Sequence, residues 1–356
     1  MRDKRCNPQR CGAGPLMGKA TMGAFWAQSP VCSMHHLAQA IAFMPLCHEA
    51  VRLFHGRGGR FPGEEHLTLD AFPPALVLTS FQPLSEDQLV HVGVLLQARW
   101  LALNAPEPLT WVYQCRQAGG PSETRLMAGA LPEPHTVAEA GARYRVHLLR
   151  GQNHGLFLDM AEGRRWVREW AAEFKLREER GARVLNLFAY SCAFSVAALQ
   201  GGAGQVVNVD MARSALATGQ QNHQLNGLSG ALFWPHDVFT TWGKIGRQGP
   251  YDLIVADPPS FQKGSFVATK DFPRLMRRLP DLLTPGGHAL LCLNAPELGM
   301  DFLHQHMQVQ APALKFIERV PNPEVFKDVD EEKALKVAVY RSAFEETGRI
   351  ELLQNE

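Results

Sequence analysis

Residues 251–261 read YDLIVADPPSF, an apolar run that ends in Asp257, Pro258 and Pro259 and is followed closely by the ring of Phe261. Continuous rather than alternating apolar residues suit a parallel strand covered on both faces. Ligands of open α/β sheets bind beyond the carboxyl ends of such strands, which is where Asp257 falls. Two prolines lack N–H groups and have fixed φ, so they hold a rigid turn with bare carbonyl oxygens aimed at one spot. A base amine or ring N–H can donate to those oxygens, and Phe261 can stack on a flat substrate as aromatic side chains do on RNA bases. The bland alternative is an ordinary strand-ending turn.

The elements that must position this turn lie upstream. Residues 183–188 form a second buried strand, with a helical stretch before it at 166–180, a tight loop after it at 189–194 and a helix-like run at 195–199. Strand, tight loop and helix form the unit that cradles a nucleotide-like ligand. A third strand, 205–209, ends in Asp210, whose carboxylate can accept both ribose hydroxyls of an adenosine. After a helix at 212–226 and a strand at 231–234, Asp237, Val238 and Phe239 are placed to touch an adenine. Any one of these aspartates could be only a helix cap. Their order and spacing together point to a nucleotide site.

On these residues the chain resembles the class I S-adenosylmethionine (SAM) methyltransferases. Within them it is most similar to the bacterial 23S ribosomal RNA methyltransferases that modify cytosine C5 or guanine N7. The motifs are GLFLDMAEGRRW (155–166), VLNLFAYSCAFSVAAL (184–199), VNVDMARSAL (207–216), NHQLNGL (222–228), DVF (237–239) and DPPSF (257–261), with a fainter similarity through 52–81. The resemblance implies an α/β fold: a Rossmann-like, mostly parallel sheet with an antiparallel last strand, behind a smaller N-terminal α+β domain. It assigns SAM binding to Phe157, Asp159, Arg164, Asn186, Phe188, Ala189, Tyr190, Ser191, Asp210, Met211, Asn222, Asp237, Val238 and Asp257. Asp257, Pro258, Pro259, Phe261 and Asn294 are assigned to the acceptor, RNA is the implied partner, and no metal is called for. The PUA-type RNA-binding domain that precedes the family's catalytic part has no visible counterpart here.

Three departures matter. Cys192 stands where the family loop has glycine, with Ala193 beside it, so a side chain at 192 is expected to narrow the SAM site. Ala161 replaces the first arginine of an Asp-x-Arg-x-x-Arg pattern that Asp159 and Arg164 otherwise keep. The third departure bears on the reaction. Cytosine C5 is a poor nucleophile and needs a cysteine thiolate added to C6. The C5 members' cysteine position holds Asn294, as in the guanine N7 members, and Cys292 two residues earlier reads as a buried core thiol. Transfer to a nitrogen, without a covalent intermediate, follows as the expectation.

The rest of the chain sets the frame. It has 356 residues, 46% hydrophobic, enough for two domains with filled cores, and no apolar run long enough to span a membrane. A cytoplasmic enzyme, monomeric or dimeric, is expected. Seven scattered cysteines argue against a disulfide framework, and a net charge of +1 means that RNA must be met by local patches. One candidate patch is Arg52, His55, Arg57 and Arg60, read either as phosphate contacts or as a basic hairpin loop. A second is Arg274 with Arg277 and Arg278, read either as a grip on substrate or as a solvated face. Residues 1–33 read as a disordered extension, with a zinc reading of Cys6, Cys11 and Cys32 that lacks paired spacing. Residues 34–150 read as the accessory domain and 151–356 as the catalytic one, with 35–54 helical, Ser85 capping a helix at 86–103, a strand at 143–149 and a solvated acidic turn at 328–332.

Overall fold

A computed structural model describes residues 34–117, 122–151, 153–259, 261–262 and 266–343, with the 261–262 segment described by its backbone alone. The zinc reading at Cys6, Cys11 and Cys32 lies outside these residues, as does the Phe261 side chain.

Helix α1 (His35–Phe43) ends where Pro45 approaches, and the chain then extends as β1 (Val51–His55) rather than staying helical to residue 54. Pairing decides the matter: Arg52 lies opposite Asp70 of β2 (Leu67–Phe72) and forms an ion pair with it. β3 (Ala75–Ser80), α2 (Glu86–Ala102), β4 (Thr110–Cys115) and β5 (Glu123–Ala128) complete a five-stranded sheet in the order β1-β2-β3-β4-β5. Only the β3–β4 pair is parallel, because α2 supplies the crossover between them. Ser85 caps α2: its hydroxyl accepts from the Gln88 N–H while the Gln88 side chain accepts from the Ser85 N–H.

Where a single strand at 143–149 was expected, the chain makes a hairpin of β6 (Thr136–Glu139) and β7 (Ala142–Arg145). Its turn residues Ala140 and Gly141 both have positive φ, 49° and 79°, the geometry that suits strand twist in a two-residue hairpin loop.

The elements of the seven-stranded sheet follow, starting from α3 (Ala161–Glu178). The chain continues through β8 (Arg183–Leu187), α4 (Ala193–Gln200), β9 (Gln205–Asp210), α5 (Arg213–Leu225), β10 (Ala231–Pro235), α6 (Trp242–Gln248) and β11 (Tyr251–Ala256). The short hairpin β12 (Phe261–Gln262) and β13 (Phe266–Val267) leads to α7 (Ala268–Met276), α8 (Leu279–Leu282), β14 (Leu283–Leu293), α9 (Met300–Gln310), β15 (Leu314–Val320) and β16 (Lys336–Ser342). The sheet order is β10-β9-β8-β11-β14-β16-β15, with β16 antiparallel to both neighbours. Strand order reverses between β8 and β11, which puts the ligand crevice of such a sheet at their tips. α6 to α9 cover one face and α3 and α4 the other, giving two buried apolar layers.

The domains share a core in which Phe72, Val77 and Val112 of the first meet Leu158, Val196 and Phe326 of the second, together with Tyr144 of the hairpin. The acidic turn, expected to be solvated, belongs to this junction. The Val329 N–H donates to the Gly58 carbonyl at 2.9 Å, and a Cβ on Gly58 would come within 2.6 Å of Asp328 Oδ1. Glycine at 58 lets the two loops close on each other.

Candidate active site

The tips of three strands are tied together: the Ala189 N–H donates to the Val209 carbonyl at 3.1 Å and the Asp257 N–H to the Leu187 carbonyl at 3.4 Å. The intervening loop is strained. Phe188, Tyr190 and Cys192 have φ of 58°, 46° and 60°, a region costing a side-chain-bearing residue about 1–2 kcal/mol each. Such strain concentrates at sites where backbone must approach a ligand.

Cys192 does not narrow the crevice as its size suggested. Its side chain is fully buried with Ala189 and Leu216. A Cβ added to Gly219 on α5 would lie 2.4 Å from the Cys192 sulfur, so the thiol occupies a notch that this glycine leaves open. The backbone takes the left-handed conformation that glycine adopts most readily, and the side chain is stored behind the loop.

Asp210 closes the loop from the next strand. Its Oδ2 accepts from the Tyr190 N–H at 2.8 Å and its Oδ1 from the Ala212 N–H at 2.7 Å, which fixes the carboxylate while each oxygen keeps a lone pair. Asp237 caps a short helical turn, accepting from the Phe239 N–H at 2.8 Å, with Val238 buried beneath it. Met211 is more than half exposed at the rim. Phe157 reaches over from the entry to α3 and meets the Tyr190 ring at a centroid distance of 5.2 Å.

Several of the expected cofactor residues direct polar side-chain atoms to neighbouring protein groups. The Asn186 amide is buried and donates to Asn208 Oδ1 at 2.9 Å, in a chain that runs on through Ser195 to His223. Ser191 donates to the Gly155 carbonyl at 2.6 Å. Asn222 accepts from the Arg145 N–H and donates to the Ser191 carbonyl, bracing the loop against hairpin β6–β7. Arg164 is buried and grips Glu139 with two bonds of 2.6 and 2.7 Å and the Phe157 carbonyl with a third of 2.8 Å. It positions the Phe157 to Asp159 segment instead of offering its charge directly. Ala161 is the first residue of α3.

Between the two domains lies a cleft of about 580 Å³, lined among others by Arg57, Arg116, His154, Phe157, Asp159 and Asn294. Asp159 lines it, and Asp257 lies near enough to Asp159 to feel its charge. Burial pushes the Asp159 carboxyl above its ordinary range, with Arg52 and Arg164 opposing. Asp257 is pushed up to about 7, by burial first and the Asp159 charge second, with Arg164 opposing. Pro258 and Pro259 follow Asp257 at the strand end, as the sequence places them. Asn294 stands exposed at the cleft just past β14, whereas Cys292 is 0% exposed within the strand. Burial and the Asp257 and Asp159 charges hold the Cys292 thiol well above its usual range.

The basic patch of the first domain is mostly engaged. Arg52 is committed to Asp70 and donates to His55 Nδ1 at 2.7 Å. His55 is pushed down to about 3 by burial and by Arg52 and Arg57, so it is a neutral acceptor near pH 7. Arg60 faces Glu324 at 3.9 Å, outside the cleft lining. Arg57 reaches the cleft, lying over the Phe81 ring at 4.2 Å. Arg116, which sequence reasoning missed, joins it from the end of β4, held by Gln114 Oε1 at 2.5 Å and by His154 Nε2 at 3.4 Å. The available signal was its place one residue past an apolar strand. Arg274 is on α7, paired with Asp271 and lying over Phe239 at 4.3 Å, so it belongs to a different face.

Comparison with known proteins agrees with this geometry. A family described as S-adenosylmethionine-dependent methyltransferase matches residues 51–341. The ribosomal RNA large subunit methyltransferase I of Serratia proteamaculans is 33% identical over 257 residues, covering 67% of this chain and 59% of that one. The protein of the same name from Aeromonas salmonicida is 31% identical over 229 residues, 60% of this chain and 56% of its own. The chain thus spans little more than half the length of these relatives. Among solved structures, a methyltransferase complexed with SAH gives a TM-score of 0.69 at 25% identity, covering 86% of this chain and 78% of that one. A SAM-dependent methyltransferase from Streptococcus mutans gives the same values.

Proposed function

Because the chain belongs to the family of S-adenosylmethionine-dependent methyltransferases, we propose that it transfers methyl from SAM to a nitrogen of a ribosomal RNA base, without a covalent cysteine intermediate. SAM, when bound, supplies an electrophilic methyl group on a positively charged sulfur. The described residues suit it: Asp210 and Asp237 have lone pairs for ribose and adenine, and the carboxylates Asp159 and Asp257 lack the positive charge that its ammonium and sulfonium groups bring.

The observation that carries the nitrogen reading is the contrast between Asn294 at the cleft and Cys292 sealed in the sheet. Addition to cytosine C6 needs an exposed, ionised thiolate, and Cys292 is neither. A ring nitrogen or exocyclic amine is already nucleophilic and needs only alignment with the methyl group. Asp257 and the prolyl carbonyls accept hydrogen bonds from the base edge, and Asn294 can donate or accept beside them. When the acceptor is an amine, the proton it loses passes to Asp257, whose pKa of about 7 suits that task. RNA as the substrate is supported by the names of the relatives, and the cleft between two domains is large enough for one nucleotide. No described helix is long and apolar enough to cross a membrane, and we place the enzyme in the cytoplasm, where ribosomal RNA is.

Two substitutions test the reading. Asn294→Ala should lower kcat about 10- to 100-fold with little change in SAM affinity, as loss of acceptor alignment does. Cys292→Ser should keep turnover. A Cys292→Ser protein that is folded and binds SAM but transfers nothing would restore the thiolate mechanism.

A further inference from the structure

The face covered by α6, α7 and α8 plays no part in the cleft, yet Lys244, Arg247, Arg274, Arg277 and Arg278 all stand exposed there. Lys244 lies 4.1 Å from the Trp234 ring, with His236 Nε2 3.2 Å from its ammonium. Arg274 lies 4.3 Å over Phe239, and Arg278 lies 6.0 Å from the Trp242 ring. Phe239 and Trp242 meet edge to face at 6.1 Å, which joins these pairs into one ribbon. Arg247 and Arg277 stand exposed on the same helices. Among the described residues, Arg274 alone of these cations has a carboxylate partner, Asp271.

A face that serves only solubility mixes both signs, since like charges side by side repel one another. Asp281 also stands exposed on α8, yet Lys244, Arg247, Arg277 and Arg278 have no carboxylate partner among the described residues, a gathering of cations that costs stability. Cations laid against aromatic rings offer what a polynucleotide needs, positive charge for phosphates and flat apolar surfaces for bases. The ribbon also begins at the cofactor end: Phe239 follows Asp237 and approaches Phe188 of the strained loop at 6.4 Å.

We propose that this ribbon, from Trp234 and Lys244 across Trp242 to Arg278, binds the phosphodiester backbone of single-stranded RNA that flanks the nucleotide held in the cleft. The proposal rests on the RNA reading above and adds a second contact surface, about which sequence reasoning on Arg274, Arg277 and Arg278 left two options open.

The test is binding of an oligouridylate of about 16 nucleotides to the full chain, followed across a salt titration. Lys244→Ala, Arg247→Ala, Arg277→Ala and Arg278→Ala are combined, with SAM affinity as the control for folding. Each phosphate contact contributes about 0.7 to the slope of log affinity against log salt, so losing four should lower the slope by up to about 3 and low-salt affinity by about 100-fold. The Lys counterparts of the three arginines should restore most of the slope. If the combined variant does not fold, Arg247→Ala with Arg277→Ala, which touches no ring contact, should lower the slope by about 1.4. A variant that binds SAM and keeps the parental slope and affinity overturns the ribbon and leaves the RNA reading standing. A parent chain that binds no RNA and methylates none overturns both.

Discussion

Asp257→Asn is expected to lower turnover about 100-fold or more while leaving the fold intact, the loss typical when a positioned acid-base group is removed from a reacting edge. The carboxyl is pushed up to about 7 by burial and by Asp159, against the pull of Arg164. On the proposed mechanism its ionised form does the work, both accepting from the base edge and balancing the positive charge on SAM. Turnover and SAM affinity in the parent protein should therefore rise as pH increases through about 7 and then level off, and the asparagine variant should lose that rise. The sign for stability is opposite. An aspartate of ordinary pKa 3.8 when unfolded binds its proton more tightly in the fold, so stability of the ligand-free protein falls as pH climbs from that value through about 7. Asp257→Asn should remove this dependence and melt at a higher temperature than the parent at alkaline pH. A variant whose pH profile matches the parent's would move the titration to another group, with Asp159 the first candidate.

Arg164→Ala should cost about 3–5 kcal/mol, because it strands a buried carboxylate. Glu139 loses both of its charged bonds and the Phe157 carbonyl loses its donor. Two things give way together: hairpin β6–β7 loosens from α3, and the segment carrying Phe157 and Asp159 loses its anchor. Urea unfolding should show a lower midpoint with an unchanged slope. Adding Glu139→Ala should cost much less than the sum of the two single changes, since the partner charge is then gone. A single-variant loss below about 1 kcal/mol would mean that the pair is solvated and only incidental to the site.

The methyltransferase half of the fold was legible because its strands are continuous apolar runs with charged or turn residues at their tips. The position of Asp210 at a strand end is one residue's worth of chain direction, which spacing alone fixes. Side-chain commitment was not legible. Asn186 and Asn222 sit in ligand-rich motifs, yet their amides serve neighbours far away in sequence, Asn208 at one and hairpin β7 at the other. Arg164 was read as a cofactor contact because its partner, Glu139, belongs to a hairpin that a turn of Ala140 and Gly141 does not advertise. Cys192 was read as an obstruction because the compensating Gly219 is on another helix. The patch at Arg52 to Arg60 shows the same limit: cross-strand register gives Arg52 to Asp70, while Arg57 faces the cleft over the Phe81 ring. In each case local sequence sets the backbone, and tertiary packing decides which atom a polar side chain spends its bonds on.

The most direct measurement is transfer of labelled methyl from SAM by the purified protein to ribosomal RNA and large-subunit assembly particles from cells lacking the gene, with nucleoside analysis of the product. Label in a nitrogen-methylated base, guanine foremost, is the expected result. Label in 5-methylcytosine would contradict the assignment of Asn294 and Cys292, and tight SAM binding with no label in RNA would contradict the acceptor itself.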